Sequence, residues 1–225
     1  MSDVASALER LGAPPESLER LARYGELLLE RNHDINLTGA RDARAIAEHI
    51  MDALTLLPLM DVDGELIDVG AGGGLPGIPL AIARGIALTA IDATAKKVAF
   101  ISEVLTQVRV QGEAIAVRAE KLARDPGFRD RFRYATARAL APAPAVVELT
   151  LPFLTVGGRA LLQRGTLPDG ERAAAAETAL ALGGEVTDEL PLGGERRILI
   201  VTKRTPTPGR FPRRVGVAQR RAISS

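Results

Sequence analysis

The sequence of 225 residues contains no cysteine and no tryptophan, and aromatic residues make up only 3% of it. Without cysteine the chain can form no disulfide, no thiolate metal site and no cysteine nucleophile. So few aromatic side chains also argue against a platform on which nucleic-acid bases stack. No apolar run reaches the roughly 18 residues of a membrane-spanning helix, and the first residues are not a secretory signal. We therefore expect a cytoplasmic protein with no metal centre.

The C-terminal end of the chain has no acidic residue. The segment from Lys203 to Ser225 has seven basic residues and no acidic one, so the first 202 residues carry a net charge of −6, which is +1 minus 7. Three prolines make this end a poor helix and favour an extended strap that can follow a phosphate backbone. A solvated tail is the alternative, and the charge alone does not choose between them.

The most informative segment is glycine-rich and lies between residues 66 and 77. Four apolar or β-favouring positions, 66–69, run into glycines at 70, 72, 73, 74 and 77 and then into an apolar, helix-compatible stretch. This order is typical of the first strand of a parallel sheet and the cofactor-binding turn that follows it. Glycine allows the sharp turn and the close approach of a ligand. We expect a ligand that contains adenosine.

Two aspartates bear on which adenosine cofactor binds. Gly72–Gly77 satisfies the dinucleotide pattern G-x-G-x-x-G, but the glycine expected directly after the strand is Gly70. Asp68 would repel a pyrophosphate and suits the amino group and sulfonium of S-adenosylmethionine. Asp92 lies 22 residues after Gly70, where a carboxylate can accept hydrogen bonds from both ribose hydroxyls. Both cofactor types need that contact, so Asp92 supports a nucleoside without choosing between them.

The hydrophobic pattern predicts the architecture. Residues 1–60 read as amphipathic helices, and residues 61–203 alternate strands with helices, which predicts a doubly wound, mostly parallel α/β sheet. The last two predicted strands form a hairpin that puts an antiparallel last strand into this sheet. We expect a helical cap (1–60), a cofactor-binding core (61–203) and a basic tail (204–225). The predicted strands are Glu65–Val69, Ala87–Asp92, Glu113–Val117, Tyr134–Arg138, Gly158–Gln163, Glu185–Leu190 and Arg196–Thr202.

An ordered set of short motifs carries a resemblance to a known family. The motifs are Asn36-Leu37-Thr38, His49-Ile50-x-Asp52-x-Leu54, Asp68-Val69-Gly70 through Leu75-Pro76-Gly77-Ile78-Pro79-Leu80, Lys96-Lys97, Arg118-Ala119-Glu120, Arg138-Ala139 and Phe211-Pro212-Arg213. Over about residues 30–216 the chain resembles the RsmG family, also called GidB, bacterial methyltransferases of small-subunit ribosomal RNA. The resemblance implies a Rossmann-like class I methyltransferase fold with a seven-stranded sheet. It also implies transfer of a methyl group from S-adenosylmethionine to guanine N7 in 16S ribosomal RNA.

The resemblance adds site residues to those read from the pattern. It implies that Gly70 and Leu75 contact the cofactor, that Ala119 and Glu120 line its adenine end, and that Arg138 faces the reaction site. The complete predicted cofactor set is Asp68, Gly70, Gly72, Leu75, Asp92, Ala119, Glu120 and Arg138. The predicted RNA contacts are Asn36, His49, Lys96, Arg210, Arg213 and Arg214. The chain departs from the family at Arg133, at Arg164-Gly165 and at Ala222-Ile223, which puts the RNA contacts and the docking of the last residues in question.

The predicted reaction requires the protein mainly to position the reactants. Guanine N7 has a free lone pair, so no general base is expected, and Arg138 is predicted to position the reactants. The expected partner is 16S ribosomal RNA, free or in an assembling small subunit, and the protein is expected to be a monomer. Two alternatives remain open: an NAD-dependent oxidoreductase, which leaves Asp68 and the tail unexplained, and a non-catalytic RNA- or ribosome-binding factor. Titration with S-adenosylmethionine and NAD separates them.

Overall fold

The computed structural model describes residues 2–60 and 64–223. Strand and helix alternate from residue 66 to residue 191, and a last strand then completes a hairpin, as the hydrophobic pattern predicts. The strands are β1 (Leu66–Val69), β2 (Leu88–Asp92), β3 (Gly112–Ala116), β4 (Phe132–Arg138), β5 (Leu154–Arg164), β6 (Gly184–Pro191) and β7 (Arg197–Lys203). The helices are α1 (Asp3–Arg10), α2 (Leu18–Arg31), α3 (Ala43–Leu54), α4 (Gly77–Arg84), α5 (Ala95–Gln107), α6 (Ala119–Leu122), α7 (Ala143–Thr150), α8 (Asp169–Ala181) and α9 (Val217–Arg220).

Within the described ranges the strands form one seven-stranded sheet in the order β3-β2-β1-β4-β5-β7-β6. Neighbouring strands among β1–β5 pair in parallel, whereas β7 pairs antiparallel with both β5 and β6. The strand order reverses between β1 and β4, and a crevice at such a point is where open α/β sheets bind ligands. The predicted mixed sheet with an antiparallel last strand is confirmed.

Helices cover both faces of the sheet and divide the core in two. Leu66 and its neighbour Ile67 are both fully buried but belong to different hydrophobic clusters, because successive side chains of a strand point to opposite faces. One cluster holds side chains of α1 to α5, and the other holds those of α6, α7 and α8 together with Phe211 of the C-terminal tail. The N-terminal helices thus pack on the sheet itself. The division into cap, core and tail remains a prediction.

Local signals explain where several helices begin and end. The side chain of Ser2 accepts a hydrogen bond from the amide of Ala5 at the start of α1, and Asp42 does the same for Ala45 at the start of α3. Gly85 ends α4 with a left-handed backbone (φ +69°), a conformation that glycine adopts without strain. These are the caps that make helix boundaries readable from sequence.

Two differences from the sequence prediction concern the fifth strand and the tail. The fifth strand begins at Leu154 instead of residue 158, because Gly157 and Gly158 interrupt the apolar pattern without ending the strand. The tail was expected to be extended, yet it buries Phe211 and contains the short helix α9. In the described part of the chain, no helix is long and apolar enough to cross a membrane.

Candidate active site

A large open cavity lies at the carboxyl ends of β1, β2, β4 and β5. Its volume is about 940 Å3, which is within the roughly 300–1,000 Å3 usual for ligand pockets. The residues after β1, the end of β2 and the residues after β4 all line it, together with parts of α3, the loop before α3 and the β6–β7 hairpin. The topology therefore brings segments that are far apart in sequence to one site.

The glycine loop, residues 70–77, forms one wall of the large cavity. Gly72 has φ +58°, and a Cβ added there would meet only the carbonyl oxygen of Gly70, at 3.9 Å, so this backbone faces open space. From behind, the hydroxyl of Tyr24 on α2 donates a hydrogen bond to the carbonyl of Gly73 at 2.9 Å. The N-terminal helices thus support the loop, and the cavity side of Gly72 is open for a ligand.

Asp68 lies beneath the glycine loop and does not line the large cavity. Its carboxylate is fully buried and accepts hydrogen bonds from the amide of Gly77 at 2.9 Å and the hydroxyl of Thr136 at 2.9 Å. Burial raises the pKa of this carboxyl to about 6, and those two hydrogen bonds oppose the rise. The sequence predicted a direct contact with cofactor. The structure instead gives Asp68 partners within the protein, through which it holds the start of α4 against β1 and β4.

Asp92, at the end of β2, lies where the glycine loop and the next loop meet. One carboxylate oxygen accepts from the amide of Gly72 at 3.1 Å and the other from the amide of Thr94 at 2.8 Å. A carboxylate has about four lone-pair sites, so capacity remains for two further donors. Asp92 lines the large cavity and also a small one beside it.

The small cavity, of about 40 Å3, continues from Asp92 towards the start of α6. Both predicted adenine contacts, Ala119 and Glu120, line it, and Gln219 of α9 forms part of its wall. The side chain of Glu120 is turned towards the tail, where it accepts a hydrogen bond from the amide of Gly216 at 2.8 Å. Position 120 can therefore serve an adenine through its backbone and its aliphatic carbons.

Polar side chains gather on the opposite side of the large cavity. Arg138, after β4, forms an ion pair with Asp52 of α3 at 3.5 Å, and Arg196 of the β6–β7 hairpin reaches the same carboxylate at 2.6 Å. Gln163 of β5 donates to the backbone carbonyl of Asp52 at 2.7 Å, which fixes α3 against the sheet. His49, one turn before Asp52, is half-buried, and burial and the nearby Arg138 lower its pKa. At neutral pH His49 is therefore a neutral hydrogen-bonding group.

Two predicted RNA contacts lie beside the large cavity without lining it. Asn36 and Lys96 are exposed, and their neighbours Leu37, Thr38 and Lys97 are the residues that face the cavity. Asn32 holds the loop in this position: its side chain is buried and makes four hydrogen bonds to the backbone of Leu37, Thr38 and Ala40. The sequence reasoning missed Asn32 and preferred Lys96 to Lys97. The signal available for Lys97 was its position in α5, where it directly precedes the buried Val98 and so lies nearer the protein than Lys96.

The three predicted RNA contacts of the tail have different environments. Arg210 is exposed and stacks over the ring of Phe211 at 5.0 Å, and Arg214 is also exposed. Arg213 points inward and makes a two-pronged ion pair with the fully buried Glu148 of α7, with a shortest distance of 2.6 Å. The structure therefore gives Arg213 a partner inside the protein, contrary to the expectation of a free RNA contact. Nothing local in the sequence linked residues 148 and 213.

The site has the features that an adenosine cofactor with a charged amino-acid end requires. Asp92 offers carboxylate oxygens beside the open backbone of Gly72, and Leu75 lines the same wall. The small cavity offers an apolar slot bounded by Ala119, and Arg138 is a cation across the large cavity from the glycine loop. A ribose, a purine and a carboxylate thus each find a matching group. The residues present fit the cofactor predicted from the sequence.

The fold is that of the class I methyltransferases. Solved structures with the same fold include the ribosomal protein L11 methylase of Lactobacillus delbrueckii subsp. bulgaricus, at 15% identity and a TM-score of 0.56, covering 71% of this chain and 80% of that one. Another is a 16S rRNA N2 methyltransferase of T. thermophilus, solved with AdoMet and guanosine, at 17% identity and a TM-score of 0.53, covering 77% of this chain and 42% of that one. Identities this low show the fold alone.

Sequence comparison identifies the family. The model of the rRNA small subunit methyltransferase G (GidB) family matches residues 17–199, and the chain belongs to this family. A ribosomal RNA small subunit methyltransferase G of Leuconostoc mesenteroides subsp. mesenteroides is 37% identical over 93% of this chain and 92% of the relative. The protein of the same name from Deinococcus deserti is 38% identical over 92% of this chain and 88% of the relative.

The predicted family is therefore confirmed. Membership supports the predicted transferase activity and S-adenosylmethionine as the cofactor. The comparisons support neither the oxidoreductase nor the non-catalytic binding factor. The roles of individual residues remain predictions.

Proposed function

We propose that this protein transfers a methyl group from S-adenosylmethionine to N7 of a guanine in 16S ribosomal RNA. The observation that carries the proposal is the arrangement of the large cavity in a member of this family. A nucleoside-binding wall, made by Gly72 and Asp92, faces a wall of polar and cationic side chains that includes Arg138. One cavity thus has room for the cofactor and for a base presented to it.

We propose that the cofactor is held by the backbone of Gly70 and Gly72, by Leu75, by Asp92 and by the wall at Ala119 and Glu120. Asp92 would accept hydrogen bonds from the ribose hydroxyls. Hydrogen bonds to an ionised carboxylate are stronger than those between neutral groups, so this contact would contribute strongly to cofactor binding. Asp68 would act through Gly77 by keeping the loop and α4 in register.

The chain's own contribution to the reaction would be positioning. When bound, S-adenosylmethionine supplies an electrophilic methyl group, and guanine N7 has a lone pair that needs no deprotonation. Arg138 is held towards the cavity by Asp52 and offers a planar guanidinium to a carboxylate or a phosphate. His49, neutral at physiological pH, can hydrogen-bond to the base or the ribose without adding a positive charge. Holding the reacting atoms at about 3–3.5 Å supplies most of the rate in such a site.

We further infer that RNA approaches over the rim that carries Asn36, Lys96 and Lys97 on one side and Arg210 and Arg214 on the other. All except Lys97 are exposed cations or amides suited to phosphate contacts, which position the substrate without reading its sequence. A cytoplasmic location and a monomeric state remain predictions.

The decisive experiment maps N7-methylguanosine in 16S ribosomal RNA from a strain that lacks the gene. The modification should be absent there, and a plasmid carrying the wild-type gene should restore it. Arg138→Ala should fail to restore it, whereas Arg44→Ala, on the exposed side of α3, should restore it fully. A strain that keeps all its N7-methylguanosine would refute the proposal. Calorimetry on the purified protein should show binding of S-adenosylmethionine and none of NAD.

A further inference from the structure

The small cavity is bounded by two different parts of the chain. Most of its wall comes from the ends of β1 and β2 and from the start of α6, all within the methyltransferase core. One wall residue, Gln219, comes from α9 in the C-terminal tail, about 70 residues beyond Leu149, the nearest wall residue in sequence. A cavity completed in this way keeps its shape only when the tail is docked.

Several interactions dock the tail, and two of them involve the residues just before α9. The amide of Gly216 donates to Glu120, which itself lines the small cavity, and Gly216 has a left-handed backbone (φ +77°) that favours glycine. Three residues earlier, the backbone and guanidinium of Arg213 bind the buried carboxylate of Glu148. Gln219 thus follows directly on a segment that is held to the core by both backbone and side chain.

The position of the small cavity indicates which part of the cofactor it receives. It shares Gly70, Asp92 and Leu140 with the large cavity, so the two join beside the carboxylate proposed to bind the ribose. The methionine end of the cofactor must lie in the large cavity, where the substrate base is presented. A purine ring is larger than the small cavity of about 40 Å3, so the adenine would lie where the two cavities join, with one edge entering the small cavity. This inference rests on the proposed function.

We propose that the C-terminal tail is part of the cofactor site, and that Gln219 closes the small cavity and contacts the edge of the adenine. A carboxamide carries both a donor and an acceptor, and adenine presents an amino donor beside a ring-nitrogen acceptor, so a glutamine can pair with adenine through two hydrogen bonds. On the N7 edge of the base, hypoxanthine carries an oxygen in place of the amino group and so presents two acceptors, which breaks this match. Gln219 is thereby a specificity-determining residue for the cofactor.

Calorimetric titration of the full chain tests this inference with binding as the readout. The ligands are S-adenosylhomocysteine and its inosine analogue, in which oxygen replaces the adenine amino group. Gln219→Ala should weaken S-adenosylhomocysteine binding by about 3- to 10-fold, as expected for the loss of one or two hydrogen bonds at a partly exposed site. Wild type should prefer the adenine ligand over the inosine ligand, and Gln219→Ala should lose most of that preference.

Arg221→Ala is the matched control, because it removes another exposed side chain from the same tail two residues away. It should bind both ligands as wild type does. Equal affinities of wild type and Gln219→Ala would overturn the proposal while leaving the proposed function standing. An equal loss for both ligands would overturn the contact with the adenine edge. A wild-type protein that binds neither S-adenosylmethionine nor S-adenosylhomocysteine would instead refute the proposed function.

Discussion

The glycine loop and the C-terminal tail both border the cofactor site, but they are built on different principles. The loop is positioned by backbone groups: Gly77 donates to Asp68, Gly72 donates to Asp92, and Gly73 accepts from Tyr24. The tail is positioned mainly by charged side chains, above all the pair of Arg213 with Glu148. The loop resists substitution at Gly70, Gly73, Gly74 and Gly77, because a Cβ added there would lie less than 3.0 Å from another side chain. The tail resists it because a buried charge must keep its partner.

The largest effect is expected where the tail depends on a buried charge. Glu148→Ala leaves the guanidinium of Arg213, which is 23% exposed, without its carboxylate. Removing one member of a buried ion pair costs about 3–5 kcal/mol, and we expect a loss near the lower end in the free energy of unfolding. Urea denaturation measures it. Glu185→Ala, which breaks the exposed pair with Arg204, should cost about 0–1 kcal/mol. Equal losses in the two variants would mean that the buried pair does not hold the tail.

The next effect concerns the loop side of the site. Asp92→Ala should weaken S-adenosylmethionine binding by about 1.5–3 kcal/mol, because charge-assisted hydrogen bonds to the ribose and the bond from Gly72 are removed. Asp92→Asn keeps one acceptor oxygen and should lose less. Calorimetry gives both values, and circular dichroism checks folding. A folded Asp92→Ala variant with unchanged affinity would remove Asp92 from the cofactor site.

The raised pKa of Asp68 leads us to expect a pH dependence of intermediate size in the free energy of unfolding. Burial raises its pKa to about 6, so between pH 4 and 6 the folded state binds this proton more tightly than the unfolded state. The contribution of Asp68 to stability is therefore present at low pH and is lost as the pH rises through 6. Between pH 4.5 and 7.5 this loss amounts to about 2 kcal/mol. Asp68→Asn should abolish it, and urea denaturation at the two pH values measures the difference.

Asp34→Asn is the control for this pH effect, because Asp34 is an exposed carboxylate in the loop after α2. It should show the same pH dependence as wild type. If Asp68→Asn also follows wild type, the carboxyl of Asp68 does not titrate between pH 4.5 and 7.5.

The smallest effect is expected from the outward-facing cations of the tail. Replacing Arg210 and Arg214 with alanine should change stability by less than about 0.5 kcal/mol, because both side chains are exposed. The salt dependence of RNA binding should become shallower by about 0.7–0.9 in the logarithmic slope for each phosphate that the protein no longer neutralises. Filter binding at several salt concentrations measures this. Arg204→Ala, whose cation already pairs with Glu185, is the control, and equal slopes in all variants would place the RNA elsewhere.

The same contrast explains what could be read from the sequence. The glycine loop, the mixed sheet and Asp92 follow from local rules, because backbone conformation, strand burial and strand-end carboxylates leave patterns within a few residues. The partner of Arg213 lies 65 residues away, and that of Arg138 lies on another layer of the fold. Only the packing of α3 and α7 on the sheet creates these pairs. Seven cations at the end of the chain could therefore be counted from the sequence, but not which of them face solvent.

The docked tail also gives a physical reason to expect that binding of the cofactor and binding of the RNA are coupled. Gln219 borders the small cavity, and Arg214, five positions earlier, is exposed to solvent. An RNA phosphate that pins Arg214 would stabilise the docked tail and with it the closed end of the cofactor site. Coupling of this kind is reciprocal, so the cofactor would raise RNA affinity by the same factor. The enzyme would then hold its methyl donor most tightly when the RNA is in place.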